Sequence, residues 1–198
     1  MGIVHFITHP EVVIDPAIPA PRWPLSAEGK RRMGLMLRQS WVEGIRAIFS
    51  SSERKAMDGA EILAGHLALP ITVIEELGEN DRSSTGYLPQ KEFEAFADEF
   101  FARPQESVRG WERATDAQRR IASAIDQLLA QSPTYGDIAI IAHGGVGALL
   151  LCHLMAVPIS RAQDQKGSGG GNVFSFDPTN RSLLSGWRRI EEAFSARH

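Results

Sequence analysis

Apolar runs recur along the chain, separated by stretches of helical period, and this order predicts alternating strands and helices. The segment "GIVHFIT" (2–8) is apolar with little alternation, as a strand covered on both faces requires. "IRAIFS" (45–50) and "DIAIIA" (137–142) have the same character, and "ITVIEEL" (71–77) is a shorter candidate. Ser26 is placed to cap a helix running to about Gln39, with Glu28 near its positive end. "SSSERKAMDGAEILAGHLAL" opens with serines suited to capping and carries Ala56, Ala60, Ile62 and Leu63 into a helix. From about Gln90 to Gln131 two helices are predicted, broken near Arg103-Pro104, the second with Ile121, Ile125, Leu128 and Leu129 on one face. The Gly pair after "DIAIIAH" leads into the helix "VGALLLCHLM", and "VFSFD" and "SLLSGWRRI" close the pattern as strands, the second at an edge. The expected fold is α/β, a mostly parallel central sheet with helices on both faces.

Two segments break the pattern. The four prolines of "DPAIPAPRWP" (15–24) exclude helix and central strand, and a connection of this length suggests function. The glycines of "KGSGGGN" (166–172) suit either an anion cradle of backbone N–H groups or a mobile linker. More telling are the polar residues that follow buried strands at once: His9, Ser50-Ser51-Ser52 and His143. In an open parallel sheet ligands bind outside the carboxyl ends of strands, so these distant positions can converge on one rim. The other histidines read differently. His5 lies within a strand, His66 and His153 within helices, and His198 at the terminus.

Composition narrows the chemistry. With 198 residues the chain fits one domain, 1–198, and its net charge of −3 gives no reason to expect nucleic acid or an anionic membrane as partner. An anionic ligand would need positive charge gathered locally. The one cysteine, Cys152, excludes an internal disulfide and reads as a buried small hydrophobe. No basic segment followed by an apolar one opens the chain, and no apolar run is long enough to span a bilayer, so a cytoplasmic chain is expected. His9 and His143 could be two metal ligands, but no His-x-x-x-His pair or acid-histidine cluster completes a site, so neither metal nor cofactor is expected. A G-x-S-x-G elbow is missing as well.

The histidines and their surroundings resemble the histidine phosphatase superfamily (phosphoglycerate mutase-like). "FITHP" stands for the strand that there ends in Arg-His-Gly, and "WPLSAEG" (23–29) for the Pro-Leu-Ser/Thr helix start. "SSSERKAMDGAE" (50–61), "LGE" (77–79) and "IIAHGGV" (140–146) follow in family order. The resemblance implies a phosphoglycerate mutase-like three-layer αβα sandwich, with a lid-like helical insertion at about 81–113. That insertion carries Phe93, Phe96, Phe100, Phe101 and Trp111, which either wall a pocket or pack as core. It also implies a phosphohydrolase: His9 as nucleophile forming a phosphohistidine, His143 holding the transferring oxygens, and Glu79 as proton donor, with Glu76 and Asp81 as alternatives. The partner would be a small phosphorylated molecule, and the oligomeric state is left open.

Departures from the motif sit around the phosphate. Thr8 and Pro10 replace the arginine and glycine flanking the nucleophile, Lys55 stands for the second arginine, and Gly59 for a threonine. Losing a guanidinium removes charge and bidentate geometry together. The phosphate-binding set would then be Thr8, Arg22, Arg54, Lys55 and Gly144, with Arg82 as a further cation in reach. The alternative function is a catalytically weakened relative that binds a ligand or protein; mutase activity is disfavoured.

Overall fold

In a computed structural model of the chain, which describes residues 2–131, 135–165 and 167–192, the first apolar run lies inside a six-stranded sheet. The strands are β1 Val4–Thr8, β2 Ile45–Ser50, β3 Ile71–Val73, β4 Asp137–Ala142, β5 Asn172–Phe176 and β6 Leu183–Arg189, in the order β3-β2-β4-β1-β5-β6. Neighbours among β1 to β4 run parallel; β5 is antiparallel to β1, and β6 to β5. Every residue of β1, β4 and β5 is buried, which is why their sequences are apolar without alternation. In β6, half-buried residues alternate with exposed ones from Leu183 to Trp187, as an edge strand allows.

Helices cover both faces. α1 (Ala27–Met36) and α2 (Arg54–Leu67) pack Met33, Met36, Ala56, Ala60 and Leu63 onto Ile7, Ile48 and Ile141. On the opposite face α4 (Ala114–Gln131) and α5 (Gly144–Leu154) pack Ile121, Ile125, Val146 and Leu150 onto Phe6, Ile140 and Phe174. Adjacent residues of one strand thus serve opposite layers. α3 (Gln90–Ala102) belongs to a third cluster, in which Phe100, Phe101 and Trp111 are buried against Ala148 and Leu149 of α5, with Phe93 and Phe96 partly buried beside them. These aromatics are core.

Local differences from the sequence reading have physical causes. Ser26 caps α1 through the Gly29 N–H, but the helix stops at Met36 rather than near Gln39. "ITVIEEL" divides into β3 and a 3-10 turn, Glu75–Leu77. The serines before α2 do not cap it: Glu53 is the N-cap residue and makes no capping bond, because its carboxylate is engaged by Lys55 and the Glu79 N–H. Lys166 and His198 lie outside the described residues.

The glycine-rich segment is tied down from Ser168 onward. Buried Arg32 donates to the carbonyls of Gly169, Gly170 and Gly171 at 3.0, 3.0 and 2.9 Å and forks onto Glu191 at 3.1 and 3.2 Å. The segment in turn supports the end of β1: the Gly171 N–H donates to the His9 carbonyl at 3.0 Å. Gly170 has φ +56, and a Cβ there would lie 2.3 Å from the His9 carbonyl oxygen, so only glycine fits. Arg32→Met is expected to lower stability by about 2–4 kcal/mol, since it strands several carbonyls and a carboxylate at once. Urea denaturation checks this; a cost under about 1 kcal/mol would show that the loop is held by other contacts.

Candidate active site

The parallel register assembles the site. Thr8 of β1 pairs with Ala142 of β4, so the next residues, His9 and His143, emerge side by side at the carboxyl ends of the strands. Their ring centroids are 5.2 Å apart at an interplanar angle of 64°. Ser50 of β2 pairs with Ile141, which brings Ser51 to the same rim. Its Oγ lies 2.7 Å from His143 Nε2.

His9 Nδ1 lies 2.9 Å from the carbonyl oxygen of Pro10 and so carries the ring proton when neutral. That leaves Nε2 with its lone pair. Burial first, then the fields of His143 and Lys55, lower the pKa of His9 to about 3. Burial likewise lowers His143 to about 4, against the carboxylates of Glu53 and Glu79. Both imidazoles are neutral at pH 7, the state a nucleophile needs.

Glu79 lies across the start of α5. Its Oε2 accepts from the Gly145 N–H and its Oε1 from the Val146 N–H, both at 3.0 Å. Burial opposes ionisation, but Arg82, His143 and the Gly145 N–H outweigh it and hold the carboxyl below its ordinary value. The Gly-Gly pair now has a steric reason. A Cβ on Gly144 would sit 2.3 Å from Gln165 Nε2, and one on Gly145 would sit 2.6 Å from Glu79 Oε1. Glu76 and Asp81 are exposed, and Asp81 accepts from the Ser83 N–H.

The cations divide into two groups. Lys55 is buried behind the histidines, its Nζ 2.5 Å from Glu53 Oε2 and donating to the Ala20 carbonyl at 2.9 Å. The proline-rich loop therefore crosses α2 and supplies a ligand to the lysine. Glu53 also reaches His143, with Oε1 3.4 Å from Nε2, and accepts from the Glu79 N–H at 2.8 Å. Burial disfavours its charge, but His143, Lys55 and the Glu79 N–H prevail and lower its pKa to about 2. Arg82 stands on the other side, 3.8 Å from Glu79 Oε2, its guanidinium 5.0 Å from the centre of the Phe93 ring and 5.6 Å from that of Trp111.

Arg22 and Arg54 line a shallow surface pocket with Ser52, Met57 and Glu61. Arg54 is also paired with Asp58 at 2.6 Å. Thr8 has other partners: its Oγ1 accepts from the Asn172 N–H at 2.9 Å and donates to Gln165 Oε1 at 2.8 Å. Of the remaining histidines, His5 is buried against Ser175 and Trp41, and His66 and His153 are exposed. Among the described residues no group of three or more His, Cys, Asp or Glu side chains could hold a metal ion, and no helix is long and apolar enough to cross a membrane.

Depressed histidine pKa values set a stability profile. Below about pH 6.5 the unfolded chain binds protons that folded His9 and His143 refuse until about 3 and 4. Stability should therefore fall on acidification from about pH 6.5, by up to about 1.4 kcal/mol per pH unit for each site. Below about 4.5 the depressed Glu53 and Glu79 add loss of the same sign. Urea denaturation at stepped pH checks this. A profile flat between pH 6.5 and 4.5 would mean that the histidines titrate freely.

Ser51 reaches the rim as one of the serines that follow β2, whereas Glu53 and Gln165 enter the site without having been singled out by sequence. The available signal was the strand register. Once β2, β4 and β1 are aligned, the residue after each strand lands on one rim, and Glu53 lies two positions beyond Ser51. Gln165 had no such signal.

The sequence profile of the histidine phosphatase superfamily (branch 1) matches residues 19–185. Among solved structures, a mycobacterial glucosyl-3-phosphoglycerate phosphatase in complex with inorganic phosphate superposes with a TM-score of 0.77 at 19% identity, over 98% of this chain and 100% of that one. YhfR of Bacillus stearothermophilus gives 0.75 at 22% identity, covering 99% of each chain. The alpha-ribazole phosphatase of Shigella flexneri gives 0.74 at 17%, over 99% and 100%. A comparison with curated proteins finds no match.

Proposed function

The chain belongs to the histidine phosphatase superfamily, and from that premise we propose that it hydrolyses a small phosphomonoester through a phosphohistidine at His9. The observation that carries the reading is the histidine pair: His9 held through Nδ1 on the Pro10 carbonyl, with a neutral Nε2, next to buried His143. Nε2 attacks phosphorus as the ester oxygen leaves, forming a P–N bond and breaking a P–O bond. Glu79 delivers a proton to the departing oxygen. Its carboxyl is ionised in the empty site, and a phosphoryl dianion beside it raises its proton affinity. Water, deprotonated by the same carboxylate, then cleaves the P–N bond, releases phosphate and restores neutral His9. Lys55 and Arg82 are the cations whose fields reach the histidine pair. Solved structures of similar fold include phosphatases of small phosphorylated compounds, which supports the substrate class.

A second reading, a ligand-binding relative without turnover, is favoured by one observation. Lys55 is already paired with Glu53 and the Ala20 carbonyl, and Thr8 brings no charge. The deciding experiment mixes the purified protein, in chelator, with p-nitrophenyl phosphate and a panel of phosphomonoesters. Turnover with an alkali-stable, acid-labile phosphoryl group on His9 supports hydrolysis; no turnover and no trapped intermediate supports the second reading.

A further inference from the structure

Gln165 has no role in the steps above, yet its side chain is bound at one end and open at the other. It follows the 3-10 turn Arg161–Gln163, and its Oε1 accepts from the Thr8 hydroxyl at 2.8 Å and from Asn172 Nδ2 at 3.0 Å. Thr8 and Asn172 are both buried, and the Thr8 hydroxyl accepts from the Asn172 N–H at 2.9 Å, which leaves its own proton to give. Two buried donors on one oxygen fix which way the amide faces. Its nitrogen turns to the start of α5: a Cβ on Gly144 would lie 2.3 Å from Nε2, so a larger residue after His143 would displace the amide. Nε2 makes no hydrogen bond among the described residues. The amide thus lies between the residue before His9 and the residue after His143. Glu79 is near as well. Burial raises the pKa of the preceding Asp164, and the Glu79 carboxylate, close enough to act on it, adds to the rise.

We propose that Gln165 is a phosphate ligand of this site, its Nε2 donating to oxygens of the phosphoryl group that His9 receives. The inference rests on the phosphohydrolase reading and adds a ligand to it. A longer side chain at position 8 would run into the amide, which already touches the Thr8 hydroxyl. Thr8 and Gln165 therefore divide between them the space that an arginine before the nucleophile would fill alone: the threonine holds, and the glutamine donates. The exchange replaces a charge by a fixed dipole. A neutral amide is cheaper to bury than a guanidinium and needs no carboxylate to balance it. Donors set in place before the anion arrives also cost no reorganisation when it does. The backbone behind the amide is pinned. The Gln165 N–H donates to Asp164 Oδ1 at 2.8 Å, and Trp187 Nε1 donates to the Gln163 carbonyl at 2.8 Å. Arg161 ties the same turn to α3 through the Glu94 carbonyl at 3.1 Å and Asp98 Oδ1 at 2.5 Å.

Inorganic phosphate is the probe, followed by NMR in protein labelled with 15N on histidine rings and glutamine side-chain amides. Saturating phosphate should shift the His9 and His143 resonances and move the Gln165 Nε2 protons, identified by their contacts with Gly144, downfield. Gln165→Glu keeps the oxygen that Thr8 and Asn172 hold and puts a carboxylate oxygen where the donors were. The phosphate Kd, read from the histidine shifts, should weaken by about 10- to 100-fold, the weight of a hydrogen bond to a charged acceptor. Phosphate that shifts both histidines and leaves the Gln165 amide unmoved overturns the inference and spares the phosphoryl pocket. So does a Q165E variant that binds phosphate within twofold of wild type. If phosphate shifts neither histidine at any concentration, the pocket takes no phosphate, and the phosphatase reading falls together with the inference. Should Q165E fail to fold, the amide shifts of the wild type decide alone.

Discussion

His9→Ala is expected to abolish phosphomonoester turnover, by a factor on the order of 10⁴ or more, while the fold survives. The size follows from the role. Two other groups of the rim are not free to take over as nucleophile: Ser51 Oγ is engaged with His143, and the Glu79 carboxylate is bound at the start of α5. The fold is spared because β1 is held by the backbone. The His9 N–H donates to the Ala142 carbonyl and its own carbonyl accepts from Gly171, and neither bond uses the ring. The variant should therefore keep its unfolding midpoint within a few degrees and show no acid-labile phosphate in a rapid quench. Turnover within tenfold of wild type would remove His9 from the mechanism.

Glu79→Gln should lose about 10²- to 10⁴-fold in kcat, the range for removing a general acid. Unlike the His9 change, it should also cost stability, about 1–2 kcal/mol, because two N–H groups of α5 point at the carboxylate. An amide turned to accept from one of them presents its own N–H₂ to the other. The acid role has its own signature: substrates with good leaving groups such as p-nitrophenol need no proton, so the loss should shrink for them and be largest for alkyl phosphates. Equal loss on both substrate types, with the same fall in stability, would reduce Glu79 to a helix cap.

How much of this was legible in the sequence depends on distance along the chain. His9 and His143 could be found because each ends an unbroken apolar run, and a strand end is a local property. Glu79 could be found because it lies in a short motif in family order. Ser51 was read both as a helix cap and, with its neighbours, as part of the rim; its Oγ meets His143 on that rim and does not cap α2. Thr8 was expected beside phosphate. Its hydroxyl is bonded to Asn172 and Gln165, residues far down the chain, and only the pairing of β1 with β5 brings them together. The proline-rich loop read as functional for its length alone; what it contributes, the Ala20 carbonyl on Lys55, is a backbone atom that no residue type announces.

The place of β1 in the sheet bears on how the protein is made. The strand that seats His9 precedes the rest of the sheet along the chain, yet Val4 pairs with Ile138 on one side and Phe176 on the other. Contacts so far apart in sequence form slowly, and until they form an apolar strand is left with two unpaired edges. Until β5 is made, the strand is open to self-association. A fragment ending before Gly171 lacks the N–H that donates to the His9 carbonyl. The rim that carries His9 is thus completed only when β5 pairs with β1.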